Sequence, residues 1–305
     1  MSLIKRPAEI IGKETIACLI YGQSGMGKTT LACSAPAPVL LDFDGGCDRL
    51  NEAHQVPTVQ ITRWEDAEQA LNEIAAADEF KTIVVDTLSK MIDSIIVNIC
   101  GTAQPKIQQW GMVNAKFKAF LRSVQAMRKN VVFVAQREVE KDGEVTRYVP
   151  QVRASNYKDI ICDLDVCGYM EMVSKQGAEV RQITFNPSSR SEGKNTADFA
   201  PSYIVPTLTG NKANTFLSER FAEYITRQRE RNNRRAEMMK ATDTKVAEYT
   251  DLLNACNDAM SVNEVLQKAK SEKAVGDIRL RLSMMIKDRA TALGLTINKE
   301  TKLYE

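Results

Sequence analysis

The stretch that decides the fold is residues 15–31, which read TIACLIYGQSGMGKTTL. Within it, residues 22–29 match the G-x-x-x-x-G-K-[ST] pattern of a phosphate-binding loop. The apolar run before this segment predicts a buried strand, and the residues after it predict the start of a helix. Glycine at the fixed positions lets backbone N–H groups turn toward phosphate oxygens, and the helix N-terminus favours negative charge. The sequence therefore predicts a phosphate site between a strand and a helix.

Two side chains of this loop have specific expected roles. We expect Lys28 to reach the β- and γ-phosphates of a nucleotide, and the Thr29 hydroxyl to ligate Mg²⁺. A glycine-rich turn without a ligand is the alternative, and the flanking strand and helix argue against it. The predicted nucleotide-binding residues are Gly22, Gln23, Ser24, Gly25, Met26, Gly27, Lys28, Thr29 and Thr30.

The composition limits the classes of function. The chain has 305 residues, enough for one large domain and a smaller one. Its formal net charge of +2 does not indicate a polyanion partner, so any basic surface must be local. Seven cysteines without a C-x-x-C pair, and a single histidine, argue against a zinc site. No apolar run has membrane-spanning length and the start lacks a signal-peptide core, so we expect a cytoplasmic protein without a membrane partner.

Residues 81–87, KTIVVDT, predict a second strand of the site. Three apolar β-branched residues run into Asp86, which is the Walker B pattern. A carboxylate at a strand end beside the phosphate loop can hold Mg²⁺ together with Thr29. Apolar runs that end in aspartate are common, so the prediction depends on the phosphate loop that precedes this strand.

Two more strands are predicted to end in polar side chains at the same edge of the sheet. After residues 39–41, Asp42 and Asp44 face the same way by strand alternation, and we expect one of them to orient the attacking water. We favour Asp44 because it lies nearer the edge where a nucleotide binds; the alternative is that both only cap the strand. Gln136 ends the predicted strand 131–136 and can bond both a γ-phosphate and the loop that follows.

Residues 137–158 are predicted to form a mobile basic loop, with a hairpin around residues 142–143. Basic and aromatic side chains on such a loop suit single-stranded DNA, because cations contact phosphates and rings stack on bases. An ordinary charged surface hairpin is the alternative. The predicted DNA-binding residues are Arg137, Lys141, Arg147, Arg153 and Lys158. Residues 160–173 and 178–185 are predicted to be further strands.

Alternating apolar strands and amphipathic helices predict an α/β fold with a mainly parallel sheet flanked by helices. Ligands of such sheets bind at the carboxyl ends of the strands. We assign residues 1–205 to this domain, residues 206–240 to a linker and basic helix, and residues 241–305 to a small all-α module. Residues 227–240 contain six basic and two acidic side chains, which fits either a solvated helix or a nucleic-acid contact.

Several stretches, taken in order, resemble the RecA-like phosphate-loop ATPases of bacteriophages, a group that includes single-strand annealing and recombination proteins. The resemblance covers roughly residues 14–200. The module after residue 240 lies outside it and is more weakly similar to helical tails of other phage recombination proteins. The stretches are IYGQSGMGKTT, VLLDFDGG, TIVVDTLSK, QQWGMVNAKFKAFL, VVFVAQREV, DLDVCGYM and FNPSSRSEGK.

The resemblance implies a RecA-like core that uses ATP and Mg²⁺, with Asp86 as the Walker B residue and Gln136 as a sensor of the nucleotide. The family usually has glutamate after the second strand; Asp44 is one methylene shorter, which predicts slow hydrolysis. The resemblance also implies a homo-oligomer in which Lys194, rather than Arg190, touches the nucleotide of a neighbouring subunit.

The first functional hypothesis is an ATP-binding phage recombination protein of the annealing type. It would bind single-stranded DNA in an ATP-dependent manner, hydrolyse ATP slowly with stimulation by DNA, and work in the host cytoplasm. Its helical module would contact a single-strand DNA-binding protein or another recombination partner. The alternative is a nucleotide-switch ATPase that loads or remodels a phage replication or packaging complex without binding DNA. A metabolic kinase is disfavoured because no lid with clustered arginines is visible.

Overall fold

The computed structural model describes residues 5, 9–10, 12–142, 145–209, 211–272 and 277–305. Two compact units divide the chain, Lys13–Gln228 and a second unit that contains Arg229–Glu305. The first unit is α/β and the second is helical. In the described part of the chain, no helix is both long and apolar enough to cross a membrane.

The elements follow one another along the chain in the order that the sequence pattern predicted for most of its length. The strands are β1 (Ala17–Gly22), β2 (Pro38–Asp42), β3 (Thr58–Gln60), β4 (Thr82–Asp86), β5 (Asn130–Asp142), β6 (Val145–Pro150), β7 (Val166–Lys175), β8 (Ala178–Thr184), β9 (Lys194–Asn195) and β10 (Ser202–Ile204). The helices are α1 (Lys28–Ala32), α2 (Trp64–Ala76), α3 (Leu88–Cys100), α4 (Ile107–Ala126), α5 (Ala154–Asp163), α6 (Phe216–Ala255), α7 (Ala259–Ser271) and α8 (Asp277–Ala292).

The sheet has the strand order β10-β8-β7-β1-β5-β4-β2-β3, with β6 paired to β5 and β9 paired to β7. The five pairings from β7 to β3 that form its centre are parallel, and the pairings of β6, β8, β9 and β10 are antiparallel. Strand β5 lies between the phosphate-loop strand β1 and the Walker B strand β4. The register aligns Gly22 with Gln136 and Asp42 with Asp86, so the predicted site residues meet at one edge.

Two apolar clusters cover the two faces of this sheet. Side chains of β1 alternate between them, with Leu19 in the first cluster and Ile20 in the second. Helices α2, α3 and α4 bury their apolar stripes in the first cluster, and α1 and the start of α6 cover the second. The predicted α/β class with a mainly parallel, two-sided sheet is confirmed.

The segment 206–228, predicted as a linker, instead belongs to the first unit. Its apolar side chains are buried in the second cluster beside α1. The unit boundary falls after Gln228, inside the 40-residue helix α6, so the predicted boundaries at 205 and 240 do not match the division of the chain. The buried residues of this segment are Leu208, Phe216, Leu217, Phe221 and Tyr224.

The second unit is a small bundle formed by the end of α6 with α7 and α8. Its core contains Tyr249, Leu253 and Leu282. Helix α7 begins after Asp258, whose Oδ1 accepts a hydrogen bond of 2.8 Å from the Ser261 backbone N–H. The helical character that the sequence predicted after residue 240 is present.

Two local predictions are wrong. Residues 160–163 form the last turn of α5 and not a strand, because Ile160 packs into the first core cluster and β7 begins only at Val166. Segment 137–158 is not a loop either. Strand β5 continues beyond Gln136 and pairs with β6 from Arg137 onward, so backbone hydrogen bonds hold this segment as a hairpin, and α5 follows it. The predicted hairpin is confirmed by this strand pairing, and residues 143–144 lie outside the described residues.

Candidate functional site

The phosphate loop joins β1 to α1 and its glycines are required by the backbone. Gly25 and Gly27 have φ values of 77° and 83°, which side chains of L-residues rarely adopt. A Cβ on Gly22 would lie 2.3 Å from the carbonyl oxygen of Met170, because β1 and β7 approach closely there. The local sequence therefore fixes a loop whose backbone can wrap around a phosphate.

Lys28 is buried, and its ammonium is held by two uncharged oxygens of the site. Nζ donates to the Gln23 carbonyl at 2.7 Å and to Gln136 Oε1 at 3.0 Å. Burial lowers the pKa of Lys28 to about 8, although the carboxylates of Asp86 and Asp44 act in the opposite direction. A phosphate would give this ammonium a better partner than either neutral oxygen.

Thr29 and Asp86 form the predicted metal pair. Thr29 Oγ1 donates to Asp86 Oδ2 at 2.5 Å. Burial raises the pKa of Asp86 to about 6, and the nearby Asp44 and Asp42 add to that shift, while the Thr29 hydrogen bond and Lys28 oppose it. A hydroxyl and a carboxylate are the hard oxygen donors that Mg²⁺ accepts beside phosphate oxygens and water. The donor set therefore fits Mg²⁺.

The two candidate carboxylates after β2 have different surroundings. Asp42 is buried, and its oxygens accept backbone N–H bonds from the turn that follows it. Burial acts to raise the pKa of Asp42, but these hydrogen bonds outweigh it and hold the pKa below its usual value. The donors are Asp44 at 3.1 Å, Gly45 at 2.8 Å, Gly46 at 3.2 Å and Cys47 at 3.0 Å. Asp42 therefore supports the turn.

Asp44 is exposed, and its Oδ2 lies 3.8 Å from Arg49 Nη2 in a long ion pair. Its charge is nevertheless close enough to raise the pKa values of Lys28 and Asp86. Of the two carboxylates, Asp44 is thus the exposed one. Its role in orienting water stays a prediction.

Arg137, predicted to bind DNA, lies against the phosphate loop. Its Nη2 donates to Gln23 Oε1 at 3.1 Å and its Nη1 donates to Tyr169 Oη at 3.0 Å. The guanidinium carbon lies 4.7 Å from the centre of the Tyr148 ring. The sequence analysis missed this contact with the loop, although Arg137 directly follows Gln136, which it placed at the site.

The other predicted DNA-binding cations do not share one loop. Arg147, on β6, forms an ion pair with Glu192 at 2.7 Å, and Arg153 lies 3.4 Å from the centre of the Trp110 ring. Lys141, on β5, and Lys158, on α5, are exposed. Arg153 and Lys158 line a cleft of about 490 Å³ together with four acidic side chains. Those acidic residues are Asp93, Glu138, Glu140 and Glu192.

Lys194 contacts the end of a helix of its own chain. Its Nζ donates to the carbonyl oxygens of Ile161 at 2.7 Å and of Cys162 at 3.0 Å, in the last turn of α5. A cation at a helix C-terminus is favourable, so this contact stabilises α5. For Lys194 to reach the nucleotide of a neighbouring subunit, its ammonium would have to leave these carbonyls.

Comparison with known proteins agrees with this geometry. The model of the AAA domain family matches residues 14–197, which include the phosphate loop, Asp86 and Gln136. A comparison with curated proteins gave no match. Among solved structures, the flagellar accessory protein FlaH from Methanocaldococcus jannaschii is similar, with 10% identity over 65% of this chain and 87% of that chain. Its TM-score of 0.37 is too low to carry an argument. From the family match and the site together, the chain belongs to the AAA domain family of phosphate-loop nucleotide-binding proteins.

Proposed function

We propose that the protein is a Mg-dependent ATPase that binds single-stranded DNA and acts in recombination of the annealing type. The observation that carries the proposal is the course of β5. This strand contacts the phosphate loop at Gln136 and continues without a break into the hairpin formed with β6, which carries Arg137, Lys141 and Arg147. A change at the nucleotide can therefore reach the hairpin along one strand.

The chemistry of hydrolysis follows from the side chains at the edge of the sheet. Lys28 and the backbone of the loop bind the phosphates, and Asp44 orients a water for in-line attack. Thr29 and Asp86 hold Mg²⁺, which supplies positive charge to the phosphate oxygens when bound. Gln136 now bonds Lys28 at 3.0 Å, and it would exchange this bond for the γ-phosphate. Because Asp44 has a shorter reach than glutamate, we expect slow turnover.

In this proposal, DNA binding depends on cations that follow the nucleotide site along the chain. Lys141 on β5 is exposed, as are Arg153 and Lys158 at and within α5, and Tyr148 lies on β6. Phosphate contacts by these side chains would make affinity fall as salt rises. A nucleotide that favours one arrangement of the hairpin strengthens DNA binding, and DNA then strengthens nucleotide binding by the same factor.

We propose that the active form is a homo-oligomer, with Lys194 acting on the nucleotide of a neighbouring subunit and the helical module binding a recombination partner. Lys194 is supported by its place on the polar segment 186–195. Residues 241–305 of the helical module contain ten basic and ten acidic side chains.

A nucleotide switch that acts on a protein complex without binding DNA is the second candidate. The observation that favours it is the charge of the cleft beside the hairpin, where four carboxylates face two cations. The ion pair of Arg147 with Glu192 also neutralises the charge of one predicted DNA-binding cation. These features weaken the attraction of a polyanion.

Fluorescence anisotropy of a labelled single-stranded oligonucleotide, at several salt concentrations and with or without Mg·ATP, tests the proposal. We expect salt-sensitive binding that ATP strengthens in the wild type and does not strengthen in Lys28→Ala. The paired change Lys141→Glu with Arg153→Glu should abolish binding. Lys81→Glu is the matched control, because Lys81 lies exposed at the opposite end of the parallel strands. Wild-type protein that binds no oligonucleotide at low salt with ATP would favour the switch.

A further inference from the structure

Arg137 occupies a defined place beside the phosphate loop. Parallel pairing aligns Gln136 on β5 with Gly22 on β1, so the next residue, Arg137, is level with the first variable position of the loop. Its side chain is half-buried, and its Nη2 reaches Gln23 Oε1 at 3.1 Å. This contact joins a residue of the hairpin directly to the phosphate loop.

Gln23 is held from two sides by two cations. Its carbonyl oxygen accepts from Lys28 Nζ at 2.7 Å, while its side-chain oxygen accepts from Arg137. Gln136 closes the arrangement, because its Oε1 accepts from the same Lys28 ammonium at 3.0 Å and its backbone continues into Arg137. The orientation of the Gln23 carbonyl, and with it the position of Lys28, is thus linked to the Arg137 side chain.

The far side of the guanidinium contacts two tyrosines, and a third tyrosine packs against one of them. Nη1 donates to Tyr169 Oη at 3.0 Å, and the guanidinium carbon lies 4.7 Å from the centre of the Tyr148 ring. Tyr148 and Tyr169 are stacked with ring centres 5.3 Å apart, and Tyr21 lies 5.1 Å from Tyr169. Tyr21 Oη donates to the Tyr148 carbonyl at 3.0 Å, which ties β6 to β1. Arg137 therefore connects the loop to packed elements.

We infer that Arg137 is a positioning residue of the nucleotide site, which acts through Gln23 to place Lys28 and to link the phosphate loop to the β5–β6 hairpin. The inference rests on the proposed function in that the ligand is Mg·ATP. It removes Arg137 from the set of DNA contacts. A planar guanidinium can bond two acceptors and stack on a ring at once, which a lysine ammonium cannot do.

The test measures the affinity for mant-ATP with Mg²⁺, by fluorescence titration, in a double-mutant cycle. We expect Arg137→Ala to weaken binding about tenfold, and Gln23→Ala to weaken it by a similar factor. Because one acts through the other, the double variant should lose little more than either single variant. Arg137→Lys should recover part of the loss by restoring the charge. Arg122→Ala, an exposed arginine on α4, is the matched control and should bind like the wild type.

Circular dichroism checks that each variant is folded. If Arg137→Ala does not fold, the nucleotide affinities of Gln23→Ala and Arg137→Lys decide whether Arg137 positions the nucleotide site. Unchanged nucleotide affinity in the Arg137 variants, or losses that simply add in the double variant, would overturn the inference. A loss of oligonucleotide affinity with nucleotide affinity intact would also overturn it, because Arg137 would then be a DNA contact. If the wild type binds mant-ATP but neither hydrolyses ATP nor binds DNA, the proposed function fails while the cycle still decides the role of Arg137.

Discussion

Replacing Asp42 by asparagine should destabilise the first unit while leaving the chemistry of the site to Asp44. The carboxylate accepts four backbone N–H bonds between 2.8 and 3.2 Å from the turn after β2. Two of these donors, on Asp44 and Gly45, belong to exposed residues and can bind water instead. The donors of Gly46 and Cys47 are half-buried, so their hydrogen bonds are harder to replace.

The magnitude follows from those two half-buried donors. A hydrogen bond to a charged group contributes about 1.5–3 kcal/mol, and asparagine keeps only one accepting oxygen. We therefore expect Asp42→Asn to lower the free energy of unfolding by about 3 kcal/mol, one such bond lost and the others weakened. The matched change Asp44→Asn, at an exposed carboxylate, should alter the free energy of unfolding by less than about 0.5 kcal/mol and slow ATP turnover.

Urea unfolding followed by tryptophan fluorescence reports the stability of the first unit. Trp64 and Trp110 are the only tryptophans of the sequence, and both lie within Lys13–Gln228. The pKa of Asp42 is depressed in the folded protein, so its stabilisation is fully present above the ordinary pKa of 3.8 and is lost as pH falls through the folded pKa. The difference in the free energy of unfolding between the wild type and Asp42→Asn should therefore disappear at acidic pH. Wild-type stability of Asp42→Asn together with loss of turnover would show that Asp42, not Asp44, orients the water.

Three further changes test the site. Gly22→Ala should destabilise the first unit by about 1–3 kcal/mol in the same urea assay, because its Cβ would meet the Met170 carbonyl oxygen at 2.3 Å. Asp86→Asn should reduce Mg-dependent turnover at least tenfold (about 1.4 kcal/mol) while weakening nucleotide affinity less; equal losses in calorimetry and turnover would contradict this. Lys194→Ala should lower turnover without changing nucleotide affinity, and mixing it with Lys28→Ala should restore part of the activity; absence of recovery in confirmed oligomers argues against a shared site.

The residues that meet at the edge of the sheet were predictable, because each lies at the end of a strand. The phosphate loop, Asp86 and Gln136 each follow an apolar run, and a parallel sheet brings such ends together whatever the helices between them do. The structure places Lys28 against Gln136 in this way. Alternation predicted that Asp42 and Asp44 face the same way, but β2 ends at Asp42, and alternation could not show that four N–H groups converge on Asp42.

Other features depend on information that a single sequence does not contain. Arg137 looked like a surface cation, because the chain does not show that Tyr148 and Tyr169 stack beneath it. The apolar pair at residues 160–161 fits a short strand as well as a helix, and burial of Ile160 in the first cluster decided for the helix. The polar composition of residues 206–228 concealed its apolar stripe on the second cluster, where Leu217 and Phe221 are fully buried.

The central claim is that the loop from Gly22 to Thr29 binds Mg·ATP through Lys28, and isothermal titration calorimetry tests it most directly. Lys28 is buried among neutral oxygens that a phosphate would replace, so wild-type protein should show saturable, Mg-dependent binding. Lys28→Ala, confirmed as folded by circular dichroism, should lose at least about a hundredfold in affinity, the equivalent of about 2.7 kcal/mol. The same affinity in Lys28→Ala as in the wild type, or no heat of binding in the wild type, would contradict the assignment of this loop as the nucleotide site.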